Sequence, residues 1–248
     1  MTAPGEVTTP PRGEGDDRTS RRRRGGARRR GGRRFPAQGR GTHRCVVLGC
    51  TAEDTTAVDL GTGAMVRLRI DWGEDRRPAL EPFDVVDAAW APDPEPDDLA
   101  QPEAVTVAGV PATVGRLRGR RARQVLRAVV VPNAANLLGF PGPSAPYWEF
   151  RGMHPSVAVV VPSRGPLLFR RREDDTVWAR FGWPRSDNWI PVEDARAMDA
   201  LQRARRDRLA GKDLAGALGF RPSFLVVALS RPRDGHCYKV VVAMLPRP

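Results

Sequence analysis

The stretch Cys45–Ile70 reads CVVLGCTAEDTTAVDLGTGAMVRLRI, three short apolar runs parted by polar and glycine-rich residues. Ala52-Glu53-Asp54 and Gly61-Thr62-Gly63 are turn formers, since Asp and Gly accept backbone conformations that strands do not. In the last run Met65, Arg67 and Arg69 alternate with Val66, Leu68 and Ile70. That period of two predicts a strand with one face buried and the other solvated. Cys45–Cys50, Thr55–Leu60 and Ala64–Ile70 therefore form an antiparallel meander. Phe83–Trp90 supplies a fourth strand and Ala104–Val110 a fifth.

Five short strands in close succession resemble the OB-fold and related small barrels. Between strands four and five, Ala91-Pro-Asp-Pro-Glu-Pro-Asp-Asp98 alternates proline with acids and reads as a stiff acidic loop. A helix is expected from 116 to 129, where Leu117, Ala122, Val125, Leu126 and Val129 recur at helical spacing. Gly119 weakens its first turn by about 1 kcal/mol relative to alanine.

In the second half, Ser156–Pro162, Leu167–Arg172 and Thr176–Phe181 read as an antiparallel meander. A helix opens at Pro191-Val-Glu-Asp194 and runs to about Leu209, with Gly211 as its C-cap, and a short helix follows over Asp213–Leu218. Phe224–Ser230 and His236–Leu245 pair as a hairpin around Arg231-Pro-Arg-Asp-Gly235. The expected class is α+β: a disordered basic N-terminal arm over 1–42, a small OB-like β-barrel or meander with a basic helix over 43–131, and an antiparallel sheet with one or two helices over 132–248.

Charge is distributed unevenly along the chain. Residues 1–44 hold thirteen arginines against four acids, a net of +9, residues 53–103 a net of −10, and residues 104–248 a net of +13. Only Lys212 and Lys239 are lysines, so arginine preference in general reflects coding bias. The clustering is informative: Ser20–Arg34 reads SRRRRGGARRRGGRR, a segment with nothing to bury and therefore expected to stay solvated. Arg21, Arg22, Arg23, Arg24, Arg28, Arg29, Arg30, Arg33 and Arg34 are its candidate phosphate contacts. With glycines interspersed, the stretch from about Arg21 to Arg40 resembles the RGG boxes of RNA-binding proteins. It departs from them in having Phe35 as its single aromatic residue, which implies electrostatic rather than stacking contact.

Arg116, Arg120, Arg123 and Arg127 step by four, three and four residues, which would place them along one helix face as a second set of nucleic-acid contacts. The competing reading is a solvated face screened by the acidic loop. Tyr147, Trp148, Phe150, Phe169, Trp178, Phe181, Trp183 and Trp189 are concentrated in the second half. Most are expected in the core, although Trp178 and Arg180 share a strand face opposite Val177 and Phe181. His43, Cys45, Cys50, His236 and Cys237 do not make a zinc motif, because Cys45 and Cys50 lack the usual spacing and an odd separation sends them to opposite strand faces. No metal and no cofactor are expected.

No nucleophile elbow, zinc-protease motif or phosphate-binding loop occurs, so no catalytic residue is assigned. Three cysteines without a secretory signal read as reduced thiols of a cytoplasmic protein. No apolar run is long enough to span a membrane, and no apolar stretch follows the early arginines as an export signal requires. The expected partner is nucleic acid, RNA slightly before DNA. The alternatives are an adaptor binding a protein partner and an enzyme acting on nucleic acid.

Overall fold

A computed structural model of the chain describes residues 41–73, 79–91, 99–132, 136–150, 154–184 and 186–248. The arginine-rich segment, with Arg21 to Arg34, and residues 92–98 of the acidic loop lie outside the described residues. The fold is mixed α+β, with a closed five-stranded barrel, further antiparallel strands and three α-helices among the described residues.

Asp59 closes the second strand and shapes the turn after it, its carboxylate accepting from Gly61 N at 2.9 Å and Thr62 Oγ1 at 2.7 Å. Thr51 Oγ1 does the same service one turn earlier, accepting from the backbone of Glu53 and Asp54. These turns set up β1 (Gly41–Cys50), β2 (Thr55–Asp59) and β3 (Met65–Ile70), paired antiparallel in that order. β4 (Asp84–Trp90) returns antiparallel to β1, and β5 (Ala104–Val107) lies parallel to β3 and beside β4. The circuit β1-β2-β3-β5-β4-β1 leaves no free edge within the five strands. Cys45, Val47, Ala57, Val66, Leu68, Val86, Ala88, Trp90 and Val107 fill its interior. A strand not expected from the sequence, β6 (Ala112–Arg116), pairs with the outside of β4.

Helix α1 (Gly119–Val129) follows directly. It starts three residues later than expected, because Arg116 belongs to β6 and Gly119 takes a positive φ of 51°.

The second half builds two sheets. β7 (Ser144–Pro146), β8 (Val157–Val160), β13 (Phe224–Leu229) and β14 (His236–Leu245) form a central one in the order β7-β14-β13-β8. Period-two alternation gives it two apolar faces. Val157, Val159, Val226, Ala228, Val240 and Val242 pack against Val46, Leu48 and Val58 of the barrel and Ala122 and Leu126 of α1. Ala158, Val160, Leu225, Val227, Leu229 and Val241 pack against the next layer.

That layer is β9 (Arg164–Arg170), β10 (Val177–Trp183), β11 (Ser186–Pro191) and β12 (Arg208–Ala210), in the order β11-β10-β9-β12, with α2 (Ala195–Arg203) and α3 (Gly211–Leu218). The expected meander over 156–181 is therefore split. β8 leaves it for β13, because all four of its residues are buried and only the doubly covered central sheet offers two apolar faces. Asp194 caps α2 by accepting from Arg196 N at 3.0 Å and also accepts from Met244 N at 2.7 Å, tying the helix start to β14. α2 ends at Arg203 rather than near Leu209, since Arg208–Ala210 are taken as an edge strand by β9. Gly211 starts α3 instead of ending α2, and Gly219, at φ 76°, is the left-handed C-cap of α3. The final hairpin turns through Asp234 and Gly235, both at positive φ.

Candidate functional site

Ala122 and Leu126 turn one side of α1 into the apolar layer, which leaves Arg120, Arg123 and Arg127 exposed on the other. Arg123 Nε donates to the carbonyl oxygen of Pro248 at 3.0 Å. No acid stands in the first turn, so Arg118, Arg120 and Arg121 add positive charge to the positive end of the helix dipole. Arg116 does not join them. At the end of β6 it donates from Nη1 to Glu81 Oε2 at 2.6 Å and from Nη2 to the Pro82 carbonyl at 3.3 Å, so its charge is compensated on the barrel. Three of the four expected helix arginines thus share a cationic face and the fourth does not.

The barrel's own outer face is not a free surface where β1, β2 and β3 form it. Val46, Leu48 and Val58 lie under the central sheet, and Arg67 is 2% exposed. This corrects the expectation of a solvated face on β3. Arg67 donates from Nε and Nη2 to Asp54 Oδ2 and from Nη1 to the Leu229 carbonyl at 2.6 Å. Gln101 Nε2 donates to the same carbonyl at 3.2 Å. Beside them Ser156 donates from its backbone N and, at 2.6 Å, from Oγ to the buried Glu103 carboxylate. Burial pushes the pKa of Glu103 up, against the opposing pull of the Ser156 hydrogen bonds. The network is buried and joins barrel to central sheet.

The solvent face of the β9–β12 layer is different. Leu168, Ala179, Phe181, Ile190 and Leu209 point inward to the core. The alternate residues point out and, by register, make two rows across the strands. One runs Pro191, Trp178, Phe169, Arg208, and the next runs Trp189, Arg180, Leu167, Ala210. Trp189 is 48% exposed. Phe169 meets it edge-on, centroids 5.3 Å apart. The Arg180 guanidinium lies 4.9 Å from the Trp189 ring centroid and that of Arg171 5.2 Å from Trp178. Trp178 Nε1 donates to Thr176 Oγ1 at 2.7 Å. Asp187 accepts from both Arg180 and Arg164, which lowers its pKa. Most of these rings were expected in the core, but only Phe150, Phe181 and Trp183 are buried, whereas Tyr147, Trp148 and Trp189 are exposed and Phe169 and Trp178 half-buried. The shared face of Trp178 and Arg180 was readable from parity alone. The place of Trp189 was not, because β11 was unrecognised.

Cys45 and Cys50 both line the barrel interior, contrary to the parity expectation. A bulge in β1 between Val47 and Gly49 inserts a residue and restores the phase. Burial, with Asp59 and Asp87 nearby, pushes the Cys45 thiol up to about 12. Cys237 lies in the separate core beyond the central sheet. Among the described residues no group of three His, Cys, Asp or Glu side chains is arranged to hold a metal ion.

Compared with protein-family models, curated proteins and solved structures, the chain matches none.

Proposed function

We propose that this protein is a non-enzymatic, nucleic-acid-binding accessory protein, with RNA slightly favoured over DNA. The observation that carries the reading is the run of nine arginines and no acid over Ser20–Arg34. A segment of that charge density attracts a polyanion by releasing its condensed counterions, whatever the sequence of the target. The exposed Arg120, Arg123 and Arg127 on α1 put further positive charge on the folded body.

The closed barrel resembles OB barrels in strand number. Oligonucleotides bind OB barrels over strands two and three. Here that face is packed under the central sheet, so nucleic acid must be met elsewhere, by the arginine-rich segment and the outer surfaces. Three cysteines, too few for a disulfide framework, accord with a cytoplasmic setting, and among the described residues no helix is long and apolar enough to cross a membrane.

Fluorescence anisotropy with labelled single-stranded RNA, single-stranded DNA and duplex DNA across a salt series tests the reading. Six phosphates neutralised on duplex DNA give a slope of log K against log salt near roughly −5. Deleting residues 1–42 should flatten that slope and weaken binding to every probe. Affinity unchanged by the deletion, or a flat salt response of the full chain, refutes the role of the arginines.

A further inference from the structure

We propose that the solvent face of the β9–β12 layer is a stacking platform for unpaired bases of a single-stranded nucleic acid. The inference rests on the nucleic-acid reading above and adds to it a second surface with a different chemistry. A solvated sheet face ordinarily carries polar side chains opposite the buried ones. This one carries Trp189, Trp178 and Phe169 within two adjacent rows, with Arg180 between them and Arg208 at the end of a row. An exposed Trp189 beside the half-buried Trp178 and Phe169 on one face is the informative exception to ordinary burial, because leaving ring surface in water costs free energy.

The rings are held before any ligand arrives. Trp178 is tethered through Nε1 to Thr176, and Trp189 makes a T-shaped pair with Phe169 and touches the Arg180 guanidinium. A surface ordered in advance loses little side-chain entropy when a planar partner stacks on it. Charge then selects among planar partners. Among the described residues Asp187 pairs with both Arg164 and Arg180, so the immediate surroundings of Trp189 keep a positive excess that suits a phosphate beside a stacked base. A duplex keeps its base faces covered, whereas a single strand offers them, and stacking of this kind tolerates any base.

The test uses the full chain and three probes: a single-stranded oligouridylate, an abasic strand of the same length, and a DNA duplex. The parent should bind oligouridylate about tenfold more tightly than the abasic strand, with quenching of tryptophan fluorescence. Trp189→Ala should abolish that difference while leaving duplex affinity and the salt slope unchanged, and Trp189→Phe should restore most of it. An unchanged urea midpoint for Trp189→Ala verifies that the core beneath, where Ile190 is the anchor, is intact. Equal affinity of parent and Trp189→Ala for oligouridylate overturns the platform but leaves the nucleic-acid reading standing. Failure of the full chain to bind any probe in dilute buffer overturns both. Binding of oligouridylate without tryptophan quenching also overturns the platform.

Discussion

Replacing Arg67 with methionine removes one cation that three parts of the fold share. The side chain is 2% exposed, its guanidinium bonds Asp54 of the first turn, and its Nη1 reaches the Leu229 carbonyl of β13. The methionine keeps much of the volume but strands the Asp54 carboxylate, whose Oδ1 already accepts no hydrogen bond among the described residues. Breaking one partner of a buried ion pair typically costs about 3–5 kcal/mol, because the survivor remains buried and uncompensated. Against a folding free energy of about 5–15 kcal/mol this is a large fraction. With a urea slope of about 3 kcal/mol per M, the unfolding midpoint should fall by about 1 M or more.

The double variant Arg67→Met, Asp54→Leu removes both charges together and should recover most of that loss, since a buried pair replaced by apolar groups is often neutral. Arg44 and Asp87 are the control. Their Nε–Oδ1 distance is 2.7 Å, but the side chains are 60% and 25% exposed, so Arg44→Met should leave the midpoint where it was. Equal shifts for Arg67→Met and Arg44→Met, or a double variant as unstable as the sum of its singles, would refute the claim that burial rather than pairing sets the cost.

Lys239 Nζ donates to the carbonyls of Phe140 and Gly142 at 2.7 Å, yet burial pulls its pKa down from 10.5 to about 8. The unfolded chain holds the extra proton between those values, so this lysine makes stability rise with pH across that window, and Lys239→Met should lack that component in urea midpoints taken from pH 7 to about 10.5; parallel curves would contradict it. A Cβ at Gly49 would stand 2.6 Å from Ala243 Cβ and 2.8 Å from the Val242 carbonyl, so Gly49→Ala should force β1 from β14 and cost about 1–3 kcal/mol by denaturation. Gly216 inside α3 has open space around it, and Gly216→Ala should instead stabilise by up to about 1 kcal/mol; the opposite order of the two would overturn the packing described for them.

Local chemistry made the barrel strands readable. The strand over Met65–Ile70, the Gly61–Gly63 turn and the Asp234–Gly235 hairpin each arise from neighbours in sequence, and each element stands where it was expected, although the face of β3 that carries Arg67 is not solvated. What sequence left dark is long-range. The parallel β3–β5 pairing joins Arg67 with Ala104 across the acidic loop, and no local pattern announces it. Arg67 looked like a solvent residue by alternation, and only the arrival of β13 against the barrel makes it a buried one. β11 escaped because Ser186-Asp-Asn-Trp-Ile-Pro191 has no clean period of two, and without it Trp189 had no surface to belong to. Of the candidate arginines, helical spacing correctly grouped Arg120, Arg123 and Arg127, while Arg116 fell outside because Gly119 delays the helix.

The folded body has compensated much of its own charge, and that shapes how binding divides between surfaces. Arg164 and Arg180 meet Asp187, Arg170 meets Asp175, Arg171 meets Glu173 and Asp174, and Arg172 meets Asp207. Guanidiniums already paired release few counterions when a phosphate approaches, so the β9–β12 face contributes little salt dependence of its own. Over Ser20–Arg34 no acid lies within the segment to compensate its arginines. The two surfaces therefore separate by observable: deletion of the arginine-rich segment should change the salt slope for every nucleic acid, whereas loss of the Trp189 ring should change only the preference for strands that have bases. A combined variant should show both losses.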